Sequence, residues 1–343
     1  MAELTSSPAA SPEAYVLDLV LAKIKTHALG VFAELGIADL LANGPKSTVE
    51  LAERTGTHAP SLHRLLRTLA GLHMLCEPGS GVYGLTNAGS LLRSDVPGSM
   101  RGIAMMFGSE FHTKAWGRLR HSVTAGEPAF NHVFEMSVFE YLEKHPELAA
   151  TFDAAMTSIS AAQARAVVEA YDFSGIGTLV DVGGGHGTLL GTVLKSNPAM
   201  MGVLFEMPHV AAGAGRVLHE AGVQDRVAVR SGDFFEHVPE GGNAYIMKLI
   251  IHDWDDARAT QILSNCRAAM APGGRVLVVD AVIDESPSSL YGKLTDMEML
   301  VLTPYGKERT GDEFRRLFQD AGLRLERIVD TSSPLKVVEA RPV

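Results

Sequence analysis

Nine consecutive residues constrain this chain more than any others: Val180-Asp181-Val182-Gly183-Gly184-Gly185-His186-Gly187-Thr188. An apolar, strand-like run ends in four glycines within five positions, and a helix is expected to start near Thr188. Glycines at the carboxyl end of a strand let the backbone approach a ligand with no Cβ in the way. Open α/β sheets bind their ligands at that edge. The spacing argues against a dinucleotide: counting from Gly183, a G-x-G-x-x-G fingerprint needs glycine at position 188, which is threonine. The Gly-Lys-Ser/Thr of a phosphate loop is absent too.

Asp181 lies in the strand just before the loop, where a carboxylate repels a pyrophosphate and attracts a cation. S-adenosylmethionine, a sulfonium without phosphate, therefore suits the loop better than a dinucleotide does. Further strand-like runs follow at 202–206, 227–231, 244–250, 275–280, 323–330 and 335–340, alternating with amphipathic helical sequence. That alternation predicts an α/β, Rossmann-like, doubly wound core over 176–343. Two more acids close successive strands. Glu206 could accept from ribose hydroxyls, and Asp233 from an adenine amino group while Phe234 packs on the ring. Lys248 interrupts an apolar strand, and a charge there needs a partner or a ligand.

The N-terminal part reads differently. Residues 1–12 are small and polar. From Ala14 to Ala42 the chain has helical spacing but is too apolar for an ordinary surface helix, which suggests burial against a second subunit, with Gly30 or Gly36 as a dividing point. Ser47 and Glu50 have capping-box spacing. A second helix and two short strand-like pieces across 76–92 complete a winged helix, all-helical apart from its wing. Domain limits of 1–100 and 101–343 follow, with a helical, pocket-forming segment over 101–175. A winged helix can bind DNA. The chain nevertheless carries 30 Lys+Arg against 40 Asp+Glu, a net charge of −10, where phosphate neutralisation needs a basic surface. A homodimer-forming role is the better expectation. Two cysteines, no basic leader followed by an apolar run, and no long charge-free apolar stretch predict a cytoplasmic protein with neither membrane nor nucleic acid as partner.

The segments LVDVGGGHG, LFEMPHV, SGDFF, IMKLIIHDWDD, APGGRVLVVDAVI and YGKERTGDEF together resemble the small-molecule O-methyltransferases of the caffeic acid, hydroxyindole and bacterial polyketide type. The resemblance covers nearly the whole chain. It implies an S-adenosylmethionine-dependent O-methyltransferase with an N-terminal dimerisation domain, acting on an aromatic or polyketide-like hydroxyl. It implies a cofactor-binding set of Asp181, Gly183, Gly185, Glu206, Gly232, Asp233, Phe234 and Lys248. His252 matches the family's catalytic base and Glu308 an acid that flanks it, while Asp280 stands where plant members often have Glu. The acceptor pocket is expected to draw on Met105, Phe111, Trp116, Met156, Met297 and Leu302. Asp253, Asp255 and Asp256 precede a helix and are expected to cap it rather than to hold a metal. Two other readings compete with this one: a winged-helix regulator that senses a ligand, and a relative that binds the cofactor without transferring methyl.

Overall fold

The structure is a computed structural model, and it describes residues 11–284 and 289–343. They form two compact units, one of residues 11–118 and Phe139–Ile159, the other of Leu119–Val138 and Ser160–Val343.

The first unit opens with α1 (Pro12–Glu34), capped by Ser11, whose hydroxyl accepts the Ala14 N–H at 3.3 Å. Of the two glycines expected to divide this segment, Gly36 does so. Its φ of +64° separates α1 from α2 (Ile37–Leu40). After β1 (Lys46–Ser47) come α3 (Thr48–Thr55), whose Glu50 N–H donates to Ser47, α4 (Ala59–Gly71), β2 (Leu75–Gly79), β3 (Val82–Leu85) and α5 (Asn87–Ser90). The expected wing is present as a small antiparallel sheet in the order β1–β3–β2. Phe32, Ile37, Leu51, Leu66, Leu69 and Tyr83 form its core. The unit continues with α6 (Arg101–Gly108) and α7 (Glu110–Trp116). Gly30 lies inside α1 and lets α6 pack closely: a Cβ there would come within 2.8 Å of the Gly108 Cα. The first half of α1, residues 11–24, is exposed on every side, including Val20 at 67% and Ile24 at 60%.

The second unit begins with α8 (Leu119–Ala125) and α9 (Ala129–Phe134). Next in the chain are α10 (Val138–Lys144) and the long α11 (Pro146–Ala170), within which the boundary between the units falls. The sheet follows: β4 (Thr178–Val182), α12 (Thr188–Ser196), β5 (Met201–Glu206), α13 (Pro208–Ala211), α14 (Ala214–Glu220), β6 (Val227–Ser231), β7 (Ala244–Lys248), α15 (Asp256–Ala269), β8 (Arg275–Asp280), β9 (Val282–Ile283), α16 (Leu290–Leu302), β10 (Arg309–Thr310), α17 (Gly311–Asp320), β11 (Leu323–Asp330) and β12 (Lys336–Pro342). Seven of these strands pair in the order β11–β12–β8–β7–β4–β5–β6. β4 to β8 run parallel, and β12 lies antiparallel between β8 and β11.

Alternate residues of β4 face opposite sides of this sheet. Leu179 joins a cluster with Leu190, Val193 and Leu218, while Val180 and Val182 join one with Ile262, Phe314 and Phe318. This is the doubly wound arrangement expected. The chain leaves β4 toward β5 and β6 on one side and returns as β7 and β8 on the other. The carboxyl end of β4 is therefore the point where the strand order reverses, the place at which open α/β sheets bind their ligands.

Candidate active site

The glycine loop sits at that switch point. Gly183 has φ +66°, a backbone conformation that favours glycine, and a Cβ there would press on Ile250 Cδ1 at 2.6 Å. Gly185, at φ +58°, has open space where a Cβ would stand. Its N–H donates to Glu206 Oε2 at 2.9 Å, and the other Glu206 oxygen accepts the Met207 N–H at 2.8 Å. Glu206 thus ties the end of β5 to the loop after β4. Beyond β6, Asp233 Oδ1 accepts the Phe235 N–H at 2.8 Å. Gly232 packs under the Phe205 ring, which a Cβ would meet at 2.7 Å. The Phe234 ring lies beside Gly183. His186 packs on Gly213. Asp181 is buried, and its Oδ2 has no hydrogen-bond partner. Burial raises its pKa to about 7, with Lys248 acting against the shift and Glu206 adding to it. Lys248 is drawn down to about 8 by burial, which Asp181 and Asp280 oppose, and its Nζ contacts Gln163 Oε1 at 3.3 Å. The predicted cofactor residues on three successive strand ends therefore converge on one edge.

The strand expected over 244–250 stops at Lys248, because Leu249 turns to φ +55°, a left-handed conformation costly for a branched side chain. Its N–H is held by Val279 O at 3.1 Å and Asp280 Oδ1 at 2.9 Å. The turn throws residues 251–253 into a single 3-10 turn that carries His252. His252 Nδ1 donates to Glu308 Oε1 at 2.8 Å, within a buried pair. That bond leaves Nε2, 3.6 Å from Asp253 Oδ1, as the nitrogen free to exchange a proton. Burial opposes charge on the imidazole, but Asp253, Glu308 and Asp280 outweigh it and raise its pKa above the ordinary histidine range. Asp280 is fully buried, its pKa is raised chiefly by burial, and its Oδ2 has no partner. In this structure Asp280 holds the strained Leu249 turn.

The loop after α16 is fastened to the His252 turn residue by residue. Lys307 N–H donates to His252 O at 2.8 Å, and Glu308 N–H to Asp296 Oδ1 at 2.9 Å. Arg309, 1% exposed, donates to Ile251 O, Trp254 O and Asp256 Oδ1. Arg309, Asp296 and Gln163 were not among the residues singled out from sequence. A Lys-Glu-Arg run reads as a solvated loop, and only the tertiary structure shows the guanidinium buried. Asp255 caps α15 as expected, accepting the Arg258 N–H at 2.8 Å. Among the described residues, no group of three or more His, Cys, Asp or Glu side chains is arranged to hold a metal ion.

The residues expected to wall the acceptor fall in different units. Met297 and Leu302 lie on α16, in the unit that carries His252. Met105, Phe111, Trp116 and Met156 belong to the other unit. There Met105 lines a cavity of about 300 Å³ with Gly102 and Ala154. Phe111 is buried with its ring 6.1 Å from that of Tyr141, Trp116 lies 6.2 Å from the His112 ring, and Met156 is half-buried on α11.

Comparison with known proteins identifies the chain. A model of the O-methyltransferase domain matches residues 116–324, and one of the O-methyltransferase dimerisation domain matches residues 17–95. The chain belongs to the O-methyltransferase family. It is 45% identical over 343 residues, all of both chains, to a phenazine O-methyltransferase of Lysobacter antibioticus. The crystal structure of LaPhzM superposes with a TM-score of 0.93 at 46% identity, covering 97% of this chain and all of the other. That of CalO1, a calicheamicin-biosynthesis methyltransferase bound to S-adenosylhomocysteine, superposes at 0.84 with 36% identity and the same coverage. Matched relatives are named for nitrogen as well as oxygen acceptors. This O-methyltransferase uses S-adenosylmethionine, and its winged helix is the family's dimerisation domain. Among the described residues no helix is long and apolar enough to cross a membrane.

Proposed function

We propose that the enzyme methylates a hydroxyl of an aromatic or polyketide-like small molecule, with His252 as general base and Glu308 as its orienting acid. The observation that carries this reading is the 2.8 Å bond from His252 Nδ1 to Glu308, which assigns the tautomer and frees Nε2. The cofactor supplies a methyl group on a positively charged sulfur, so the donor needs no activation by the protein. Asp181, with an unpartnered buried oxygen, the open backbone at Gly185, and Glu206, Asp233 and Phe234 at the next two strand ends suit a cationic nucleoside. Gly183, Gly232 and Lys248 shape the same edge.

The chemical difficulty lies with the acceptor, since a phenol of pKa about 10 is mostly protonated at neutral pH. His252 Nε2 takes that proton as the oxygen attacks. The Glu308 carboxylate stabilises the imidazolium and holds the ring in place. Asp280 supports the turn beneath. Met297 and Leu302 on α16, in the unit that carries His252, are the proposed apolar lining. A methionine there would adapt to a flat ring system. Incubation of a panel of hydroxylated and amino-substituted aromatic acids and polycycles with labelled S-adenosylmethionine tests this. Methyl is expected on oxygen, and transfer only to nitrogen would overturn the acceptor assignment.

The cofactor residues make a separate prediction. Glu206→Ala and Asp233→Ala should each weaken S-adenosylhomocysteine binding by about 1–3 kcal/mol in calorimetry, the cost of losing a buried hydrogen-bonding group. The Glu206 change should be the larger, because it also frees the Gly185 N–H. NAD should give no comparable heat.

A pH dependence follows from the raised His252. A base works only when deprotonated. The rate should therefore rise with pH through an inflection above the ordinary histidine value of about 6.5 and then level off. A sulfonium bound nearby favours the neutral imidazole, since like charges repel. NMR titration of His252 should show a lower pKa with S-adenosylmethionine than with uncharged S-adenosylhomocysteine. An equal pKa in both complexes would remove the sulfonium from the base's surroundings.

Homodimerisation through α1 completes the proposal. Its exposed apolar surface and the match to a dimerisation domain support it, and the acidic chain offers DNA little attraction.

A further inference from the structure

Arg309 is the least expected buried group in the catalytic unit. It heads the residues of large volume that are almost wholly enclosed, and it stands next to Glu308. Burying a guanidinium is costly unless its donors are used, and here they converge on a single target. Nη1 donates to Ile251 O at 2.9 Å and Nη2 to Trp254 O at 2.8 Å, the residues on either side of the 252–253 pair. Nε and Nη2 both reach Asp256 Oδ1, at 3.0 and 2.8 Å, at the start of α15. The Arg309 backbone is itself held in a separate two-stranded parallel ladder of β10 with β9, where Arg309 stands opposite Val282, two residues beyond Asp280. Glu308, one residue earlier, is the acid on the imidazole.

We propose that Arg309 is a positioning residue for the reaction: its planar fork clamps the turn bearing His252 to the loop bearing Glu308 and thereby sets the geometry of the base–acid pair. The inference rests on the reading of His252 as base, and adds the group that holds the two halves together. A guanidinium suits the task because its donors lie in one rigid plane and reach two carbonyls and a carboxylate at once. A lysine ammonium is a point charge on a flexible stem and cannot span the same three acceptors. Apart from the His252–Glu308 bond itself, Lys307 ties the loop to the turn through its N–H on His252 O and its exposed ammonium on Asp256 Oδ2 at 3.3 Å. The fork adds the buried bonds, to the Ile251 and Trp254 carbonyls on either side of His252. Around the imidazole stand Glu308 and Asp253, with Asp280 beneath. When the clamp loosens, Glu308 is the partner that is lost.

The test is Arg309→Lys, compared with wild type and with His252→Gln and Glu308→Gln. S-adenosylhomocysteine binding, measured by calorimetry, should stay within about twofold, because no cofactor residue is touched. Turnover should fall by about 10–100-fold, the scale of effect from a small misplacement of reacting groups. The inflection of the pH–rate profile, and the His252 pKa read by NMR, should both move to lower pH, toward the ordinary histidine value, as they should in Glu308→Gln. Asp256→Asn, at an exposed side chain, is the second variant should Arg309→Lys not fold. It loosens the fork from outside, and should shift the inflection the same way by less. A folded Arg309→Lys with lowered melting temperature and an unmoved inflection would reduce Arg309 to a purely structural role and overturn the proposal. If instead His252→Gln itself kept the wild-type acid limb, the base reading would fail first, whatever Arg309 does.

Discussion

His252→Gln should bind S-adenosylhomocysteine as the wild type does and lose about 10²–10⁴-fold in turnover, the range for a positioned general base. Glutamine keeps a polar group of similar reach but has no nitrogen that accepts a proton near neutral pH. The proposed cofactor residues lie at the ends of β4, β5, β6 and β7 or in the loops that follow, and only Lys248 is near the His252 turn in sequence, so binding and catalysis should separate cleanly. Glu308→Gln should lose less than His252→Gln, because the imidazole remains and the amide oxygen can still accept from Nδ1. It removes a negative charge from the far side of the ring, so the remaining rate should level off at lower pH than in the wild type. Steady-state kinetics on the true acceptor, paired with calorimetry, check both. A His252→Gln enzyme at near wild-type rate would mean that alignment alone accounts for the catalysis.

The second large effect concerns assembly. Val20→Asp combined with Ile24→Asp should convert the dimer to a monomer at micromolar concentration. In a two-fold interface each substitution counts twice. Loss of four buried branched side chains at about 1.5 kcal/mol or more apiece amounts to about 6 kcal/mol, or roughly 10⁴-fold in the dissociation constant. Both residues are among the most exposed apolar positions of α1, and the helix buries little before residue 25. Gel filtration with light scattering is the check. A wild type that runs as a monomer would refute the dimer, and a double variant that stays dimeric would place the interface elsewhere.

Much of the fold could be read from the residues because it depends on local pattern. β4, β6, β8 and β11 begin and end where the apolar runs do. The glycine loop lies at the strand-order reversal, as its composition required. Asp255 caps its helix, and Gly36 breaks the N-terminal one. What stayed hidden depends on tertiary contact. β7 ends two residues early because Leu249 adopts a left-handed conformation held by Asp280, a bond between residues 31 apart that no periodicity encodes. Glu206 was read as a ribose acceptor, whereas in the structure both its oxygens also accept backbone N–H groups that brace the loop. The pairing of His252 with Glu308, 56 residues on, came through family resemblance and not from spacing. Arg309 carries no sequence signal of its burial, which only its bonds to Ile251, Trp254 and Asp256 reveal.

The buried acids around His252 give this site its electrostatic character. Asp181, Asp280 and Glu308 each have a buried oxygen without a hydrogen-bond partner, and Asp253 lies against Nε2. Leaving such groups unsatisfied is costly in a stable fold. Their collection at one sheet edge is what a site for a cationic ligand requires, and stability alone would favour apolar replacements.

The account turns on whether a proton leaves the acceptor to His252 in the chemical step. The most direct measurement is the single-turnover rate of methyl transfer, with both ligands saturating, as a function of pH in wild type and His252→Gln. The wild-type rate should climb with pH to a plateau, and the variant should be slow and lack that inflection. Superimposable profiles, differing by no more than a constant factor, would contradict the assignment of His252 as the base.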